Sequence, residues 1–314
     1  MDIQYAIILS SAALWGFSLF MLGANNAANA IGALMGAGLT SIRLGQAIFM
    51  LGVTLGALLE GYKLSMVLSE SIWTSLGFES SSILLVSTAI TLFATSIGVP
   101  LPVTLAVVGG AWGISFYSGQ IPWGQVTVFS ITWVLTPAVA AFVSLVVYAV
   151  VRKLRRLIRK VLDAALLEGA ISLIGSFYIA YVLGANTVGL ISGLTSAHPP
   201  LILLLIAGLI TGLGGVKSIK VCQTVGGQFV DLGITATAIV QVSSALVIHA
   251  LTQISCPASI TQAVVGAILG VGIFKGVRAI NYALVARVFF LWALTPVIAA
   301  LLTCLVYAQL LSLW

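Results

Sequence analysis

Charge is what this sequence has least of. Among 314 residues there are 13 lysines and arginines and 7 aspartates and glutamates, so 6% are charged, against roughly 25% in soluble domains. A soluble fold of this length could not cover its surface with so few charges. Cys222, Cys256 and Cys304 are too few and too scattered for a disulfide framework. No Walker motif, metal-ligand cluster or nucleophile–base arrangement occurs, so neither an enzyme nor a cofactor is expected. The net charge is +6, but the basic residues sit between long apolar runs, which argues against a nucleic-acid partner. The runs are too long and continuous for a porin-like barrel. With 61% hydrophobic residues and a mean hydropathy of +1.20, the sequence reads as an all-α polytopic membrane protein.

The apolar segments run from about Ile3 to Leu22, Leu44 to Leu68, Ile83 to Ile97, Leu101 to Phe116 and Val126 to Val151. The first has no basic residue before it, only Asp2, and does not read as a removable signal peptide. Residues 152–168 hold 8 of the 20 charges and read as a solvated basic linker on lipid headgroups, with specific lipid binding as the alternative.

After the linker the pattern restarts. Gly23-Ala24-Asn25 returns as Gly184-Ala185-Asn186, and Thr40-Ser41 as Thr195-Ser196. Val107-Val108-Gly109 returns as Val264-Val265-Gly266. Trp133-Val134-Leu135-Thr136-Pro137 returns as Trp292-Ala293-Leu294-Thr295-Pro296, and Tyr148 as Tyr307. The spacings fall between 155 and 161 residues, which indicates a duplication. Residues 1–151 form the first repeat and 169–314 the second. With the linker in the cytoplasm, 12 of the 13 basic residues fall inside, Lys63 being the exception. Each repeat then crosses an odd number of times. The second is inverted, and both termini lie outside. Inverted repeats with broken helices and re-entrant half-helices are secondary-transporter architecture.

Polar residues at membrane depth cluster in two matched places. The first is Asn25, Asn26 and Asn29, matched by Asn186 and Thr187. Three asparagines within five residues, flanked by Gly23 and Gly32, predict an unwound helix that offers backbone groups to a ligand. Interhelical glue is the alternative. The second is Pro100-Leu101-Pro102-Val103-Thr104, matched by Pro257-Ala258-Ser259-Ile260-Thr261. Proline suits a first helical turn, so each predicts a break followed by a fresh helix N-terminus, a site for anions. A capped kink is the alternative. His249 reads as a packing residue. Glu60 matches Gly214, and so has no twin. It reads as a helix-end residue, with a proton relay as the alternative.

At these residues the chain resembles the inorganic phosphate transporter (PiT) family of sodium- or proton-coupled permeases. Its Gly-x-Asn-Asp-x-x-Asn-x-x-Gly signature reads here Gly23-Ala24-Asn25-Asn26-Ala27-Ala28-Asn29-Ala30-Ile31-Gly32. Its Pro-Val-Ser-Thr-Thr-His-Ala-x-Val-Gly reads Pro257-Ala258-Ser259-Ile260-Thr261-Gln262-Ala263-Val264-Val265-Gly266. The resemblance implies alternating-access transport of inorganic phosphate. It implies substrate contacts at Asn25, Asn26, Thr104, Asn186, Thr187, Ser259, Ile260 through its backbone, and Thr261. A coupling sodium would lie near Asn25, Asn29 and Asn186. The signature aspartate is Asn26 in one repeat and Thr187 in the other. Hard cations prefer charged oxygens, so the coupling ion, sodium or proton, stays open. A carboxylate also repels an anion that has no proton to share, so its loss opens the site to sulfate. Sulfate transport and an uncoupled anion channel are the alternatives. Expected partners are phosphate or sulfate and membrane lipid, with a homodimer one expected assembly.

Overall fold

Seven helices among the described residues are long and apolar enough to cross a membrane. The computed structural model describes residues 3–68, 76–156, 158, 160–229, 232–275 and 281–312. Asp2, Glu70, Arg159, Asp231 and Arg278, among the charged residues counted in the sequence, lie outside these. The first half contains α1 (Ile3–Gly36), α2 (Ile42–Glu60) with the short α3 (Tyr62–Ser65), α4 (Phe78–Ser96), α5 (Val103–Tyr117) and α6 (Trp123–Arg155). The second begins with α7 (Val161–Leu183), which passes through a π-helical turn (Gly184–Val188) into α8 (Gly189–Gly193). Then come α9 (Leu201–Gly214) and α10 (Ile219–Gln223), on segments bent 68° to each other. α11 (Ile234–Gln253), α12 (Ile260–Lys275) and α13 (Tyr282–Ser312) complete it. The order of elements is the same in both halves.

α5 and α12 have 15 and 16 residues. At about 1.5 Å per residue they fall short of the roughly 30 Å apolar core of a bilayer, whereas α4, with 19 residues, has the composition and length of a span. The breaks before them are built alike. Gly98 (φ +73°) and Ser255 (φ +53°) are both left-handed. The next amide in each reaches back to close the preceding helix, Val99 N to Ala94 O and Cys256 N to Leu251 O, both 2.9 Å, a standard helix stop.

One expectation fails. The chain does not unwind at Gly23–Gly32, because α1 continues unbroken to Gly36. Four alanines in this stretch favour helix, and the asparagine side chains bond to other segments and to each other rather than to their own backbone. The matching residues of the second half form the π-helical turn.

The halves interlock. Half-helix α5 lies on α13, and half-helix α12 lies on α6. Glycine makes both contacts close. A Cβ on Gly109 would sit 2.5 Å from the Pro296 carbonyl oxygen, and one on Gly266 would sit 2.2 Å from that of Pro137. One turn on, Gly113 meets Ala300 and Gly270 meets Ala141 in the same way. Small residues four apart let helix backbones touch. The two prolines lie inside α6 and α13 without ending either helix.

Candidate anion site between the half-helices

Each break is held by one asparagine. Asn25 Nδ2 donates to Thr95 Oγ1 and to the Val99 carbonyl, both at 3.0 Å, and its Oδ1 accepts from Leu101 N at 2.8 Å. Asn186 Nδ2 donates to Thr252 Oγ1 at 2.9 Å and to the Cys256 carbonyl at 3.2 Å, while Oδ1 accepts from Ala258 N at 3.3 Å. The two clamps are the same, bond for bond. They satisfy backbone groups that a break leaves without helical partners. Tryptophans from the opposite half reinforce them. Trp133 Nε1 donates to the Pro257 carbonyl at 3.0 Å, and Trp292 Nε1 to that of Pro100 at 3.5 Å.

The next residue along each helix points to the half-helix of the other half. Thr261 Oγ1 donates toward Asn26 Oδ1 (3.1 Å) and the Leu101 carbonyl (3.2 Å), and accepts from Asn29 Nδ2 (3.0 Å). Asn29 Nδ2 also donates to Asn26 Oδ1 at 3.0 Å. On the other side Thr104 and Thr187 hydroxyls are 3.2 Å apart, and Thr104 Oγ1 lies 3.3 Å from the Ala258 carbonyl. All these side chains are buried. Asn26 Nδ2, Asn29 Oδ1 and Gln262 Oε1 have no hydrogen-bond partner.

Thr104 and Thr261 are both second residues of their half-helices. The first-turn N–H groups of a helix have no intrahelical partner and carry its positive end. At α12, Ser259 Oγ accepts from Gln262 N at 3.2 Å, leaving its own hydrogen free to donate. At α5 the capping residue is Pro102, which offers no side-chain bond. The centre therefore combines hydroxyl and amide donors with two helix N-termini and carries no formal charge. A cavity of about 290 Å³ lined by Leu105, Gln262, Trp133 and Trp292 abuts it. The larger cavity of about 410 Å³, between α6 and α11, is apolar and lies away from these polar groups.

The sequence model of the phosphate transporter family matches residues 22–183 and 165–303. The chain belongs to the phosphate transporter family. It is a multi-pass membrane transporter and not an enzyme. A protein of Methanocaldococcus jannaschii, whose name assigns it provisionally as a phosphate permease, is 27% identical over 91% of this chain and 92% of its own length. The chloroplastic inorganic phosphate transporter 2-1 of Arabidopsis thaliana is 28% identical over 45% of this chain and 26% of its own length. The solved structure titled "The sodium-dependent phosphate transporter" superposes with a TM-score of 0.88 over 98% of this chain and 100% of its own, at 21% identity, a likeness of fold.

Within this transporter the expected residues divide by role. Asn26, Asn29 and Thr261 meet on one side of the centre, and Thr104 and Thr187 on the other. Asn25 and Asn186 do not face Thr261 or Thr104. Consecutive helical residues point about 100° apart, so Asn25 and Asn26 serve different neighbours. The two tryptophans stood out in the sequence as repeat landmarks, without a role. Thr95 and Thr252 belong to no motif, although each lies five residues before the proline of its break. His249 packs edge-on against Tyr178 and Tyr181, and its nitrogens are satisfied by Tyr178 and by Glu60, whose Oε2 lies 3.3 Å from Nε2.

Proposed function

We propose that this transporter is a phosphate permease that binds its anion between the N-termini of α5 and α12 and works by alternating access. The observation that carries the reading is Asn26 Nδ2, a buried donor without a partner, beside Thr261 at the start of α12. An unpaired buried donor costs about 1–3 kcal/mol, which an oxyanion would relieve. Asn26, Thr104, Thr187, Ser259, Thr261 and the Ile260 amide are the direct contacts. Asn25 and Asn186 act one step back, by fixing the breaks. The duplicated order of elements supports two repeats of opposite orientation, with the centre on their pseudo-axis.

The donor set also governs selectivity. Nothing in it repels an anion that lacks a proton, so sulfate is the second substrate of this reading. Asn29 Oδ1 and Gln262 Oε1 are buried acceptors without partners and suit a coupling cation better than an anion. They are neutral, and among the described residues no three His, Cys, Asp or Glu side chains gather. Sodium dependence is therefore weak in this reading. Uptake of labelled phosphate and labelled sulfate into proteoliposomes, under separate sodium and proton gradients, tests it. Competing uptake of both oxyanions is the expected result. Failure to carry either one would remove the proposal.

A further inference from the structure

We infer that Glu60 and His249 form a proton-binding site, distinct from the anion site, through which acidity restrains α11 against α2. The inference rests on the transporter reading. Glu60 is the last residue of α2, and four side chains converge on its carboxylate. Oε2 accepts from Gln253 Nε2 at 2.7 Å and Lys63 Nζ at 3.1 Å, and lies 3.3 Å from His249 Nε2. Oε1 accepts from the Tyr181 hydroxyl at 2.9 Å. On the far edge of the imidazole, Nδ1 bonds the Tyr178 hydroxyl. Lys63 Nζ also donates to Gln253 Oε1 at 2.6 Å. Tyr62, on α3 and in electrostatic reach of Tyr181, completes the ionisable groups around the pair among the described residues. α2 and α3 belong to the first half, α7 and α11 to the second, so the cluster ties the halves together.

The repeat-related place has no such cluster. Gly214 ends α9 where Glu60 ends α2, and at the spacings of the duplication Leu92 stands for His249, Phe17 for Tyr178 and Phe20 for Tyr181. Polar groups present at only one of the two repeat-related places are not part of the repeated anion machinery, and they can respond at one end of the molecule only. They are nonetheless close to it. His249 lies one helical turn before Thr252, which accepts from Asn186 in the second clamp, and Tyr181 lies one turn before the π-helical turn that carries Asn186 and Thr187.

The geometry accommodates both protonation states. The ionised carboxylate can only accept, so a neutral imidazole carries its hydrogen on Nε2 and accepts at Nδ1 from Tyr178. A proton taken from water goes to Nδ1. Both nitrogens then donate, the Tyr178 hydroxyl turns to accept, and the contact with Glu60 becomes an ion pair. Imidazole is the side chain whose ordinary titration falls between about pH 5 and 8. The Glu60 and His249 side chains are 19% and 25% exposed, so protons reach them while solvent screens the pair incompletely.

The test compares the wild type with His249→Gln, which keeps an amide donor for Glu60 but cannot gain charge. Labelled phosphate uptake into proteoliposomes is measured with equal pH on both sides, from about pH 8 to about pH 5.5. Titration of phosphate itself affects both proteins alike, so the wild-type to variant ratio is read. The expected ratio falls about twofold to fivefold toward acid, the range a partly exposed ion pair supports. A second readout needs no substrate. In a Cys222→Ser, Cys304→Ser background, maleimide labelling of Cys256 reports opening of the second break, and the same ratio is expected to fall. A labelling ratio that stays flat or rises overturns the inference whether or not phosphate is carried. A flat uptake ratio in a protein that carries phosphate overturns it as well. A falling labelling ratio in a protein that carries no oxyanion supports the proton site and removes the phosphate reading alone.

Discussion

Thr261→Val separates anion binding from structure at the site. The hydroxyl is fully buried, and valine nearly reproduces its shape. Three groups lose a bond, and each keeps another. Asn26 Oδ1 and Asn29 Nδ2 remain bonded to each other at 3.0 Å. The Leu101 carbonyl still accepts from Val103 N at 3.0 Å. The stability loss should therefore sit near the value of one ordinary hydrogen bond, about 0.5–1.5 kcal/mol. A donor to a bound oxyanion is worth more, about 1.5–3 kcal/mol, or roughly tenfold to a hundredfold in affinity. Initial rates of phosphate uptake over a range of concentrations should show half-saturation raised by that factor, while the melting temperature in detergent moves little. The Thr104→Val variant should follow in the same direction, since Thr104 holds the same place in the other half-helix. Unchanged half-saturation in a folded Thr261→Val protein would refute the reasoning and leave Thr261 as a packing residue.

Restoring acids with Asn26→Asp and Thr187→Asp should disfavour sulfate relative to phosphate and strengthen sodium dependence, as read by competition and by uptake with and without a sodium gradient. Steep sodium-driven uptake of phosphate alone by the native protein would place the cation on other residues. Gly266→Ala puts a methyl group 2.2 Å from a backbone oxygen, so α12 must shift from α6. Overpacking of this kind costs about 1–3 kcal/mol, to be read as a lowered melting temperature, with loss of uptake from the displaced Thr261. A cysteine placed at Arg156 should react with membrane-impermeant maleimide only from the cytoplasmic side, because the basic residues set the orientation. External labelling in intact cells would reverse the topology.

The scarcity of charge, the apolar run lengths and the duplicated landmarks made the membrane class, the helix order and both breaks legible in the sequence. Proline and left-handed residues act locally, and local rules are what a sequence displays. The same landmarks singled out Asn26, Thr104, Thr187 and Thr261, and the fold brings Thr261 to Asn26 and Thr104 to Thr187. The unbroken α1 was missed because asparagine disfavours helix in isolation, and only the fold supplies the partners that keep Asn25, Asn26 and Asn29 in one. The division between Asn25, which clamps the break, and Asn26, which faces Thr261, also needed the tertiary structure. Neighbouring residues of one type differ there by the direction in which a helix turns them, and by what the opposite half has brought within hydrogen-bond reach. Glu60 and His249 lie 189 residues apart and share no motif. Long-range packing of α2 and of α11 against α7 joined them, and no sequence pattern encodes such a meeting.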